Sequence, residues 1–212
     1  MMTMPRLIFV LLISIIANTY AAGDPAAGKE KSATCQGCHG TDGNSYAPNF
    51  PNLASQNATY LAKQIHNFQS GKRKNETMNA MAAGLSQQDI NDITAYFSQQ
   101  KIIPDTASTS AAGKKLYEGG NHYYHTPACA SCHGPNGVGN GPGAIPALAG
   151  QKAEYVKKAL HDFKSGARSN DRNAMMRNIA STMTDKEIDA VADYLAGMSR
   201  NTTTIPTTTA KK

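Results

Sequence analysis

Outside two short pentapeptides the 212-residue chain has no cysteine. No thiol is left over for a disulfide framework or a zinc site independent of those two segments. Nor does any stretch alternate apolar and polar residues as a half-buried strand would. No basic cluster is interleaved with aromatic residues, so the formal charge of +6 does not read as a nucleic-acid surface. The charges are spread, as on ordinary solvated protein. Beyond the N-terminus no apolar run is long enough to cross a bilayer. Apolar residues make up only 40 % of the chain, which is little for an independent core in each of two small domains.

The one long apolar run lies at the start. Arg6 precedes Leu7 to Ile16, a run broken only by Ser14, and Thr19, Ala21 and Ala22 follow as small residues. This is the pattern of a secretory signal over residues 1–22, too short for a spanning helix. The mature chain is therefore expected outside the cytoplasm, in the periplasm of a bacterium. Losing Arg6 leaves 20 basic residues against 15 acidic ones, formally +5.

All four cysteines stand in Cys-x-x-Cys-His: Cys35-Gln-Gly-Cys38-His39 and Cys129-Ala-Ser-Cys132-His133. Two disulfides would leave both histidines unexplained. A zinc site built from the four thiols would not need them either. A redox Cys-x-x-Cys follows a buried strand, whereas Lys29 to Thr34 is polar. Covalent haem attachment accounts for every residue: each thiol pair bonds one haem, and the adjacent imidazole reaches the iron. Two haem c groups follow, and their porphyrins supply apolar surface that the composition lacks.

The two halves repeat one pattern. Gly28-Lys29 precedes the first motif and Gly113-Lys114 the second. Pro51-Asn-Leu-Ala54 matches Pro146-Ala-Leu-Ala149, Tyr60 matches Tyr155, and Phe68-Gln-Ser-Gly71 matches Phe163-Lys-Ser-Gly166. Leu61, Ile65 and Phe68 share a helical face, as do Val156, Leu160 and Phe163. Ile90, Ile93 and Phe97 mark a last helix entered at Ser86-x-x-Asp89. Ile188, Val191 and Leu195 mark its counterpart, entered by the capping box Thr184-x-x-Glu187. The expected organisation is a domain over 23–103, a linker over 104–111 within a Ser/Thr/Ala-rich joint, and a domain over 112–200. A Thr-rich tail over 201–212 is expected to be disordered. Glu118 to Pro127, with His122 and His125, is an insertion of the second half and reads as a loop.

Methionine pairs follow each middle helix. Met78 lies seven residues before Leu85, and Met176 seven before the equivalent Met183, whereas Met81 and Met175 have no such partner. The repeat therefore selects Met78 and Met176 as second axial ligands and leaves the other two as space-filling residues. His66 and His161 also match, but they alternate with the apolar stripe and read as surface or haem-edge residues.

The stretches 35–56, 93–99 and 128–151 together resemble class I c-type cytochromes, and the tandem resembles the di-haem cytochrome c4 family. The resemblance implies an all-α fold of two tandem class I cytochrome c domains in pseudo-twofold arrangement, with haem propionate edges facing the joint. It implies axial methionines at Met78 and Met176, proline carbonyls at Pro51 and Pro146 accepting the imidazole N–H, and close helix crossings at Gly28 against Tyr96 and Gly113 against Tyr194. It further implies an electron carrier, not an enzyme, between a cytochrome bc complex and a terminal oxidase or reductase. Peripheral membrane association stays open, and the basic tail and the 118–127 insertion leave room for docking on a larger complex. A di-haem peroxidase would need an accessible distal site, which two methionine-ligated haems do not provide. A haem subunit docking on a larger oxidase or reductase is the other alternative.

Overall fold

The computed structural model describes residues 23–200. The expected signal segment 1–22 and tail 201–212 lie outside them. The described residues form helices joined by loops, with isolated bridges at Asn121–Thr126 and Asn140–Ile145 as the only extended pairing among them.

The first half contains α1 (Pro25–Lys31), α2 (Ala33–His39), α3 (Ala58–Gln69), α4 (Glu76–Ala82) and α5 (Gln87–Gln99). The second contains α6 (Ala111–Gly119), α7 (Ala130–His133), α8 (Ala153–Ser165), α9 (Met175–Ser181) and α10 (Asp185–Gly197). Both long closing helices start at full capping boxes, Ser86 with Asp89 and Thr184 with Glu187. In each, the hydroxyl and the carboxylate satisfy backbone N–H groups that the first turn leaves unpaired.

The same packing occurs twice. α1 lies on α5 and α6 on α10, while α3 and α8 cover the same closing helices. Glycine permits the crossing. A Cβ on Gly28 would collide with the Asp92 carbonyl oxygen and approach Tyr96 Cβ to 2.9 Å. One on Gly113 would meet the Ala190 carbonyl and approach Tyr194 Cβ to 2.8 Å. No other side chain lets the backbones approach so closely.

The apolar stripes face inward as their periods require. Leu61, Ile93, Tyr96 and Phe97 form a buried cluster in the first half, with Cys35, Leu53 and Leu85 half-buried against it. In the second, Leu116, Tyr117, Val156, Ile188, Val191 and Leu195 are buried together, with Cys129, Leu148, Leu160 and Ile179 alongside. In both halves the first motif cysteine lies against this apolar cluster.

The joint differs from a loose linker. Ile102 is buried, Asp105 N–H donates to the Ala196 carbonyl at 2.9 Å, and Ser108 Oγ donates to the Asp193 carbonyl at 2.9 Å. A segment that reads as Ser/Thr/Ala-rich spacer is thus fastened along the second half. The first two residues of the 118–127 insertion end α6, and the rest is a loop closed by paired backbone bonds between Asn121 and Thr126, with Tyr123 and His125 exposed.

Candidate haem sites and the joint between them

Each Cys-x-x-Cys-His segment folds into about one helical turn, so its two thiols lie on the same face. Cys35 and Cys38 sit within α2. In the second half His133 N–H donates to the Cys129 carbonyl at 3.0 Å, which closes the equivalent turn. In each pair one cysteine is half-buried against the core and the other is exposed, so the pair straddles the boundary. Before haem is attached, burial pushes the Cys35 thiol up and the Cys129 thiol to about 11.

The helical turn swings each histidine inward. His39 and His133 are buried, and each Nδ1 lies 2.9 Å from a proline carbonyl oxygen, Pro51 and Pro146 respectively. A carbonyl oxygen only accepts, so Nδ1 carries the proton and Nε2 keeps its lone pair. Burial lowers both imidazole pKa values, which favours the neutral, metal-binding form. Thiols on one face, a correctly polarised imidazole next to them and an apolar wall beside them fit a covalently bound haem.

The loop after each motif is braced from a different helix. In the first half Tyr96 Oη, from α5, donates to the Thr41 carbonyl at 2.7 Å. In the second, Tyr117 Oη, from α6, donates to the Gly134 carbonyl. Tyr117 occupies the position held by Ser32 in the first half, so the repeat gave no hint of it.

The methionine pairs separate by exposure. Met78 and Met176 are half-buried near the starts of α4 and α9, whereas Met81 and Met175 are 41 % and 45 % exposed. His66 is half-buried with Nδ1 3.1 Å from Gln69 Oε1, and His161, His122 and His125 are exposed.

Sequence reasoning missed the polar joint between the halves. Gln151 Oε1 accepts from Asn52 N–H at 2.7 Å and its Nε2 donates to the Asn52 carbonyl at 2.9 Å. Gln56 grips Ala147 in the same way, at 2.8 and 2.9 Å. Further along, Arg73 and Arg168 both donate to Gln64 Oε1, Arg73 bonds Tyr155 Oη and Arg168 bonds Tyr60 Oη. The flanking guanidiniums hold the Tyr155 hydroxyl below its ordinary pKa despite its burial. Each guanidinium also covers a phenyl ring, Arg73 over Phe68 and Arg168 over Phe163. Arg200 completes the joint, with bonds to the Ala149 and Ser55 carbonyls. Gln56 with Gln151, Tyr60 with Tyr155 and Arg73 with Arg168 are all repeat-equivalent. A polar residue kept in both halves was the available signal.

No helix among the described residues is long and apolar enough to cross a membrane. The cytochrome c family model matches residues 25–101 and 110–199. The chain is similar to cytochrome c4 of Azotobacter vinelandii, 45 % identical over 201 residues, which cover 89 % of this chain and 96 % of the relative. It is 36 % identical over 192 residues to the thiosulfate dehydrogenase electron acceptor of Stutzerimonas stutzeri, covering 87 % of this chain and 86 % of that one. The crystal structure of reduced recombinant cytochrome c4 from Pseudomonas stutzeri superimposes with a TM-score of 0.79 at 44 % identity, covering 84 % of this chain and all of that one. With two covalent haem c groups held at Cys35/Cys38 and Cys129/Cys132, the chain belongs to the cytochrome c4 family of di-haem electron-transfer proteins.

Proposed function

We propose that the chain carries single electrons through the periplasm between respiratory-chain complexes, from a cytochrome bc complex to a terminal oxidase or reductase. Bound haem supplies one-electron exchange at iron. The polypeptide sets where and how readily that occurs. His39 and His133 offer Nε2 as one axial ligand, and Met78 and Met176 offer a thioether as the other. A soft sulfur ligand raises the potential and closes the iron against small molecules. Arg73 and Arg168 place two cations at the joint, both donating to Gln64 Oε1.

The observation that carries this reading is the separation of the methionines. The repeat-equivalent pair Met78 and Met176 is half-buried, while the unmatched Met81 and Met175 face solvent. Each half would then offer the iron an imidazole and a thioether, which supports a carrier over an enzyme. Stopped-flow mixing of the reduced protein with terminal-oxidase membranes tests it. Rapid oxidation that slows with rising salt is expected. Slow, salt-independent oxidation would overturn the respiratory assignment.

One observation favours a second reading. Similarity to a protein named as the electron acceptor of thiosulfate dehydrogenase extends over most of both chains. The same surface would then take electrons from a substrate-oxidising dehydrogenase. Comparing reduction by such a dehydrogenase with reduction by the bc complex separates the two.

A further inference from the structure

The two glutamine clamps end on the same peptide groups that hold the histidines. The peptide between Pro51 and Asn52 accepts His39 Nδ1–H on its carbonyl at 2.9 Å, and its N–H donates to Gln151 Oε1 at 2.7 Å. The peptide between Pro146 and Ala147 accepts His133 Nδ1–H at 2.9 Å and donates to Gln56 Oε1 at 2.8 Å. In both cases the glutamine belongs to the opposite half of the molecule. Both glutamines are buried, at 4 % and 6 % exposure for Gln56 and Gln151.

A trans peptide points its C=O and N–H to opposite sides, and its π system joins them. When the N–H is accepted by another oxygen, electron density shifts toward the carbonyl. Hydrogen-bonded amides in a dry environment polarise one another in this way, by roughly 10–30 % per bond. The carbonyl then holds the imidazole proton more strongly. The imidazole gains basicity and becomes a better donor to ferric iron, which lowers the potential. Gln151 Nε2 and Gln56 Nε2 hold their amides in register by donating to the carbonyls of Asn52 and Ala147, each at 2.9 Å.

We infer that Gln151 is a positioning residue for His39 and Gln56 for His133, so that each domain sets the potential of the haem bound by the other. The inference rests on the axial roles of His39 and His133. The two sides are not equal. Asn52 Nδ2 also donates to the Gly150 carbonyl at 2.8 Å, a bond that Ala147 at the equivalent position has no side chain to make. The grip on the His39 side is therefore the firmer.

The test uses full-length di-haem protein and the variants Gln151→Met and Gln56→Met, which keep side-chain length and remove the amide. Paramagnetic NMR of the oxidised parent reads both Nδ1–H signals. Signals shifted by the iron support the axial roles. Unshifted signals overturn the ligand assignment, and the inference with it. In Q151M the His39 proton should exchange faster, and the electron in the half-reduced protein should move toward the Cys35/Cys38 haem by about twofold or more. Q56M should shift the His133 proton and tilt the partition the other way, by less. Equal changes at both haems, or none, would overturn the inference. Gln151→Glu keeps an acceptor oxygen and loses the donor, which provides a test should Q151M not fold. Slow exchange of the His39 proton is expected there, and fast exchange would contradict the proposal.

Discussion

Lys31 Nζ lies 2.7 Å from Asp92 Oδ2 and 2.8 Å from Asp89 Oδ1, tying α1 to α5 where they cross in the first domain. Asp92 Oδ1 accepts from Asp24 N–H at 2.8 Å, so the same carboxylate also secures the start of α1. The repeat-equivalent positions in the second domain are Leu116 and Ala190, an apolar pair. One crossing is fastened by charge and the other by burial.

The α1–α5 crossing is therefore expected to be acid-sensitive. Lys31 holds the Asp89 carboxyl down at about 2, and it also depresses Asp92. Depressed acids contribute stability that is present above the unfolded value of about 3.9. That contribution is lost as pH falls through the folded values. The Lys31 pKa is raised by Asp89 and Asp92, so its share persists until pH climbs past the ordinary lysine range. Acid titration followed by amide exchange in α1 should show this crossing loosening between about pH 4 and 2. Asp92→Asn should remove much of that pH dependence.

Gly28→Ala and Gly113→Ala should each destabilise one domain by about 1–3 kcal/mol, because the new methyl meets a backbone carbonyl that has no freedom to retreat. Denaturant melts that resolve the two haem environments check this. An unchanged midpoint would mean that the helices do not cross so closely.

Met78→Ala and Met176→Ala should each open one haem, lower its potential and allow carbon monoxide to bind. Met81→Ala and Met175→Ala should leave the spectrum nearly unchanged, since both side chains are exposed. Loss of the methionine–iron charge-transfer band in either of the latter variants would reverse the assignment.

Arg168→Met should loosen the joint. The guanidinium is buried and bonds Tyr60, Gln64 and Asn170, so its removal strips partners from the first domain. A loss of about 1–3 kcal/mol is expected. It should appear in calorimetry as two separating domain transitions in place of a shared one.

Much of this molecule was legible because its signals are local. The Cys-x-x-Cys-His spacing fixes the haem attachment whatever the surrounding fold. The stripes at Leu61/Phe68 and Val156/Phe163, and the capping residues Ser86 and Thr184, act within a turn or two of themselves. The joint was not legible, because Gln151 reaches Asn52 across 99 positions of chain through backbone atoms that every residue carries. Ile102, next to an exposed Ile103, was equally silent: its value comes from the space beside Gly150, at 2.6 Å from where a Cβ would stand. Tyr117 replaces Tyr96 as the brace of its loop, so an alignment of the repeats shows the two positions and not their exchanged task.

An electron carrier of this kind requires both irons to be closed by methionine. The most direct measurement takes one fully reduced sample of the intact protein and divides it between a redox protein acceptor and hydrogen peroxide. Expected are two electrons delivered per chain to the protein acceptor at a fast rate, with negligible peroxide turnover and the methionine–iron band restored on oxidation. Rapid, saturable peroxide turnover by protein that begins with both haems methionine-ligated would contradict the carrier reading. It would instead indicate an enzyme activated by reductive loss of one methionine.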